Sequence, residues 1–143
     1  MKSDEAGRTF LSGYNCAQSV FSPFATECGL DQTLAFKIAS SFGAGMARLQ
    51  ETCGAVTGGF MAIGLRHGFS RADDQAARDI VLRQSKELAA RFAKKFGTLK
   101  CRELLGCDLN TEEGQRIHKE RNDREGICLD CVKFAASVVE DMK

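Results

Sequence analysis

The 143-residue chain has no tryptophan, one tyrosine and one proline. With Pro23 alone, the commonest interrupter of helices is nearly missing. No stretch alternates apolar and polar residues over strand length, which argues against a half-buried sheet. The longest apolar run covers roughly residues 53–65, too short for a bilayer, which needs about 20 residues. No membrane partner is therefore expected. Neither sign of charge dominates: 20 Lys and Arg face 19 Asp and Glu, a formal balance of +1. That excludes a broad electrostatic footprint for nucleic acid. The first residues, Met1-Lys2-Ser3-Asp4-Glu5, offer no apolar h-region, so the sequence predicts no signal peptide and a cytoplasmic protein.

Ala, Leu, Lys, Arg, Glu and Gln are abundant, and all are good helix formers. The predicted fold is all-α: a single compact bundle of four or five principal helices, one domain over 1–143, with a short cysteine-containing C-terminal helix. Helices are expected over 3–12, then 15–28 with Asn15 as N-cap and a kink or break at Pro23. Asp31 caps the next, with Leu34, Ile38 and Phe42 at four-residue spacing. Further helices are expected over 51–66, 71–96 and 128–142, with shorter pieces over 99–105 and 111–120. Gly97 stops the longest. The charged stretch 121–126 reads as a mobile loop. Residues 1–69 carry ten charged side chains and 70–143 carry twenty-nine, so the first half reads as tightly packed and the second as amphipathic.

Against these scarcities stand seven cysteines: Cys16, Cys28, Cys53, Cys101, Cys107, Cys128 and Cys131. Their number is odd and the expected compartment is reducing, which points to metal binding or reversible redox chemistry rather than permanent disulfides. Cys16, Cys53 and Cys128 fall near predicted helix N-termini, where the helix dipole and free N–H groups stabilise a thiolate. Cys128-Leu129-Asp130-Cys131 is a CxxC pair followed by Val132 rather than His, so no haem attachment is implied. His67 and His118 read as exposed helix-end residues outside any HExxH motif. Gly43-Ala44-Gly45-Met46-Ala47-Arg48 follows no strand and does not complete a dinucleotide fingerprint.

The segment Cys53-Gly54-Ala55-Val56-Thr57-Gly58-Gly59 sets a cysteine at the start of a glycine-rich helix. Gly inside a helix costs about 1 kcal/mol relative to Ala, so several together need a cause. Either a second helix packs unusually close or a ligand approaches the backbone at Gly54 and Gly58. The motif Cys-Gly-Ala-x-x-Gly at 53–58 resembles that of the C_GCAxxG_C_C family of redox-active proteins. The resemblance extends over nearly the whole chain. It includes Gly13-Tyr14-Asn15-Cys16-Ala17-Gln18, the loop Phe42-Gly43-Ala44-Gly45, and the closing Cys131-Val132-Lys133-Phe134-Ala135-Ala136. It implies four signature cysteines, Cys16, Cys53, Cys101 and Cys131, and leaves Cys28, Cys107 and Cys128 as extras.

Three functions remain open. Ranked first, these four cysteines converge as catalytic residues that ligate a metal, either zinc or an iron–sulfur cluster, for electron transfer. In the second, Cys16 or Cys53 attacks a disulfide of a redox partner protein and Cys101 or Cys131 resolves it. In the third, the glycine-rich helix docks a partner or a second copy of the chain, giving a homodimer.

Overall fold

The computed structural model describes residues 1–142. Eight α-helices are present among them: α1 (Lys2–Leu11), α2 (Cys16–Glu27), α3 (Gln32–Ala39), α4 (Gly54–His67), α5 (Gln75–Phe96), α6 (Cys101–Leu105), α7 (Glu112–Glu120) and α8 (Leu129–Asp141). The expected four or five principal helices undercount this set. The reason is the short helices α3, α6 and α7, each with its own stop. Among the described residues no strand forms, and one isolated bridge joins Thr52 to Lys100.

The helix starts follow side-chain chemistry. Asn15 caps α2 in a reciprocal pair with Gln18, each side chain accepting the other's backbone N–H at 2.8 and 3.0 Å. Asp31, Asp74 and Thr111 cap α3, α5 and α7 in the same sense. Gly97, at φ +84°, ends α5 in the left-handed conformation that glycine adopts without penalty. Contrary to expectation, α2 runs unbroken through Pro23. Burial of Ala17, Val20, Phe21, Phe24 and Ala25 along the same helix offsets the loss of one backbone donor.

The core lies between α1, α2, α4 and α8, with Leu88 and Phe92 of α5 closing one side. α4 is buried at Gly54, Ala55, Val56, Gly58, Gly59, Ala62 and Ile63. Its glycines explain how α2 comes so near. A Cβ on Gly58 would sit 2.7 Å from the Ala17 carbonyl oxygen, and one on Gly54 would sit 3.0 Å from the Ala17 nitrogen. Close helix packing thus accounts for both glycines, although Gly54 keeps one edge on the cavity described below. α3 turns Ala35 and Ala39 inward, not its leucine stripe: Leu34 and Ile38 stay about half exposed.

Two segments depart further from expectation. The stretch expected as a mobile loop, 121–126, makes a turn and runs into a hydrogen-bonded piece, Arg124–Cys128, kinked at Gly126 (φ −101°, ψ −107°), that feeds α8. α4 begins at Gly54 rather than near 51, because Glu51 to Cys53 are taken up elsewhere. The Glu51 carbonyl accepts the Cys101 N–H, and the Cys53 N–H donates to the Leu99 carbonyl, both at 2.7 Å.

Candidate functional site

The chain between α3 and α4 is wound the wrong way. Ala44, Gly45, Met46, Ala47 and Arg48 all have positive φ, from 51° to 69°, and Gln50 follows at 55°. For an L-residue with a side chain this costs about 1–2 kcal/mol each, and such residues normally occur singly. Gly45 is obligatory here, since a Cβ would lie 2.5 Å from the Gln50 Cα.

The strained run is held by polar clamps from residues 102–110. Gln50 is buried; its amide donates to the Cys107 carbonyl and accepts from the Leu109 N–H, each at 2.9 Å. Asn110 donates to the Arg48 carbonyl at 2.8 Å and Arg102 to that of Leu49 at 3.2 Å. On the other side the Asn15 side chain donates to the Ser40 carbonyl.

Between this wall, α6, α7 and the start of α8 lies a cavity of about 640 Å³. Five of the seven cysteines line it: Cys16, Cys53, Cys101, Cys128 and Cys131. The four expected to converge therefore reach one site, although they come from four different helix starts. Cys128, set aside by the resemblance, joins them. Cys107 lies behind the wall within 3.5 Å of Arg121 Nη2, and Cys28 is exposed at the far end of α2. All seven thiols are free.

Cys53 sits at the centre of this group as the N-cap residue of α4. The Cys131 and Cys16 thiols lie beside its sulfur, and the backbone N–H groups of Ala55 and Val56 open the helix next to it. Together they hold the Cys53 thiol well below the usual thiol range, against the opposing effect of burial. The reciprocal effects follow. Cys16 and Cys131 are raised, first by the neighbouring Cys53 and then by burial. Burial and the nearby Cys53 charge push Cys101 up to about 11 and Cys128 up to about 12. Among the described residues, no three Cys, His, Asp or Glu side chains are arranged to hold a metal ion.

His118 corrects the sequence reading. It is not an exposed helix-end residue; it lines the cavity, and its Nδ1 lies 2.9 Å from Asp123 Oδ2. Asp123 is 8% exposed and also accepts from Arg121 Nη2 at 2.9 Å. Arg121 in turn donates to the Leu105 carbonyl. Arg124, another member of the charged stretch, donates to the Phe10 carbonyl at 2.7 Å and lies 4.0 Å from the Phe10 ring centroid.

Comparison with known proteins finds one family. Residues 14–142 match the family model described as "Putative redox-active protein (C_GCAxxG_C_C)". The chain belongs to this family. No curated protein and no solved structure matches it. In this member of the C_GCAxxG_C_C family the motif cysteine, Cys53, is the N-cap residue of α4 and lines the cavity. No helix among the described residues is long and apolar enough to cross a membrane.

Proposed function

We propose that the protein is a thiol–disulfide redox protein whose attacking group is the Cys53 thiolate. The observation that carries this reading is the placement of Cys53 at the α4 N-terminus, on a cavity wall that it shares with the Cys16 and Cys131 thiols. The thiolate, not the thiol, is the nucleophile, and the helix N-terminus and the neighbouring thiols stabilise it. Cys53 attacks one sulfur of a disulfide, forming a mixed disulfide and releasing one thiolate. Cys131 or Cys16 then passes its proton to that thiolate and attacks Cys53 Sγ, releasing the second half of the substrate as a thiolate. Two electrons leave the protein dithiol and reduce the disulfide. His118, oriented by Asp123, is placed on the same cavity to hold or move a proton in the second step. The exchange suits a reducing compartment such as the cytoplasm, with a redox partner to restore the dithiol.

Iodoacetamide labelling followed residue by residue across pH tests this. A depressed thiol keeps its thiolate, and so its full rate, as pH falls below the ordinary value of about 8.5, and slows only below its own lower pKa. Cys53 should be labelled first at pH 6, while Cys101 and Cys128 should react only in strong alkali. Mild oxidation should link Cys53 to Cys131 or Cys16, as read by peptide mass spectrometry. A Cys53 that is labelled no faster than Cys28 at pH 6 sinks the reading.

A metal or iron–sulfur reading has one observation in its favour: Cys16, Cys53, Cys101 and Cys131 all face one cavity. The donor set does not fit as it stands, because no three Cys, His, Asp or Glu side chains among the described residues are placed to hold one ion. Loading would have to draw these thiols closer together. Elemental analysis of protein purified without air decides it: metal near one equivalent or more, lost in Cys53→Ser, restores this reading. Within the chain, Gly54 and Gly58 of α4 pack against Ala17 of α2, and Gly59 packs against Leu88 of α5 and Val139 of α8.

A further inference from the structure

The cavity around Cys53 carries charge of one sign. Arg48 and Arg124 line it, with His118 beside them, and no Asp or Glu does among the described residues. This is notable in a chain whose acids and bases nearly cancel. Asp123, the nearest buried acid, is turned away onto His118 and Arg121. Arg124 is bonded to the carbonyls of Phe10 and Tyr14, neutral acceptors that leave its charge intact. Arg48 is exposed, its backbone fixed by Asn110, and among the described residues no carboxylate forms an ion pair with it. It projects from the left-handed run, the most strained piece of backbone in the molecule. Strain of this kind gathers at functional walls.

Shape narrows the ligand further. About 640 Å³ is the size of a cleft for a small molecule, not of a flat surface on which a folded partner presents its disulfide. Cys53 is 6% exposed, within reach of something that enters the cleft. Apolar side chains, Leu104, Leu105 and Ile127, supply the remaining wall. Clefts with low-dielectric walls and one sign of charge concentrate ions of the other sign.

From these features we infer that the substrate is a small disulfide bearing carboxylates, drawn in and oriented by Arg48 and Arg124 so that one sulfur meets Cys53. This rests on Cys53 being the attacking thiolate. The chemistry balances as described above: the disulfide gains two electrons and leaves as one thiol and one thiolate, and Cys53 ends in a disulfide with Cys131 or Cys16.

The test uses the whole reduced protein and three small disulfides of similar size: dithiodipropionate, a dianion; hydroxyethyl disulfide, neutral; and cystamine, a dication. A free thiolate, repelled by like charge, reacts fastest with cystamine and slowest with dithiodipropionate. The protein should reverse that order, with the dianion about tenfold ahead of the neutral compound at low salt. About 0.5 M salt should shrink the ratio. Arg48→Gln should bring the ratio of dianion to neutral rate close to one, and Arg48→Lys should keep most of it. Each ratio is taken within one variant, so it does not depend on how much of that variant is folded. A cystamine-first order, or a ratio unmoved in Arg48→Gln, overturns the inference. So does faster reduction of insulin, a protein disulfide, than of any small one. If Cys53 is alkylated at pH 6 but reduces none of the three, this substrate class falls alone; if it is not alkylated, the thiolate reading falls with it.

Discussion

The molecule is held together in two different ways on either side of Cys53. On one side, α1, α2, α4 and α8 meet through buried Ala, Val, Phe and Gly, and the contact is apolar and close. On the other, residues 43–53 and 99–128 are tied by side-chain-to-backbone hydrogen bonds from Gln50, Arg102, Asn110 and Arg121. The first region fixes where Cys16, Cys53 and Cys131 stand relative to one another. The second closes the cavity over them and brings Cys101 and His118 to its wall. Apolar burial is non-directional and forgiving of small shifts, whereas a buried amide bond is lost outright when its geometry fails. The thiol contacts therefore belong to the rigid side, and access to them belongs to the polar side.

The largest effect should come from the apolar seam. Gly58→Val drives a side chain into the Ala17 carbonyl, 2.7 Å from where its Cβ would be. A loss of about 3 kcal/mol in urea unfolding is expected, since α2 backbone rather than a flexible side chain must move. Because Cys16 adjoins Ala17, Cys53 labelling at pH 6 should also slow. Unchanged stability would mean that the two helices are not locked together.

Gln50→Ala attacks the polar side. It strands the Cys107 carbonyl and the Leu109 N–H, a cost of about 2 kcal/mol. Its signature is selective: alkylation of Cys101 should speed up as the clamp opens, while the Cys53 profile at low pH keeps its shape. Should both thiols change together, the division into two regions is wrong.

The smallest effect comes from a site that belongs to neither. Asp74→Ala removes the α5 cap, which accepts the Ala77 N–H at 3.1 Å. Thermal unfolding should report about 1 kcal/mol, with every thiol rate unaltered.

The same division marks what could be read from the amino-acid string. Helices on the apolar side declare themselves through caps and periodicity: Asn15 with Gln18, Asp31, and Gly97 at the end of α5 all stand where side-chain chemistry puts them. The four cysteines that meet were marked by their motifs. The polar side was nearly illegible. Ala44, Met46, Ala47 and Arg48 carry no local preference for a left-handed backbone; their conformation is imposed by contacts with residues more than fifty positions away. Nothing in the sequence marks Gln50. His118 reads as an exposed helix end, and Arg121 and Arg124 as part of a mobile charged loop, because their partners, Asp123 and the carbonyls of Leu105 and Phe10, do not show in sequence spacing.

The left-handed run has a consequence of symmetry. Over residues 44–48 every φ has the sign opposite to that of the helices around it. The residues best suited to such a backbone are mirror-image ones: D-alanine at positions 44 and 47 would relax it, and glycine, which has no handedness, would go part of the way. Natural L-residues hold the segment in a shape that their own stereochemistry opposes, and the feature this shape visibly builds is a cavity wall facing the thiols.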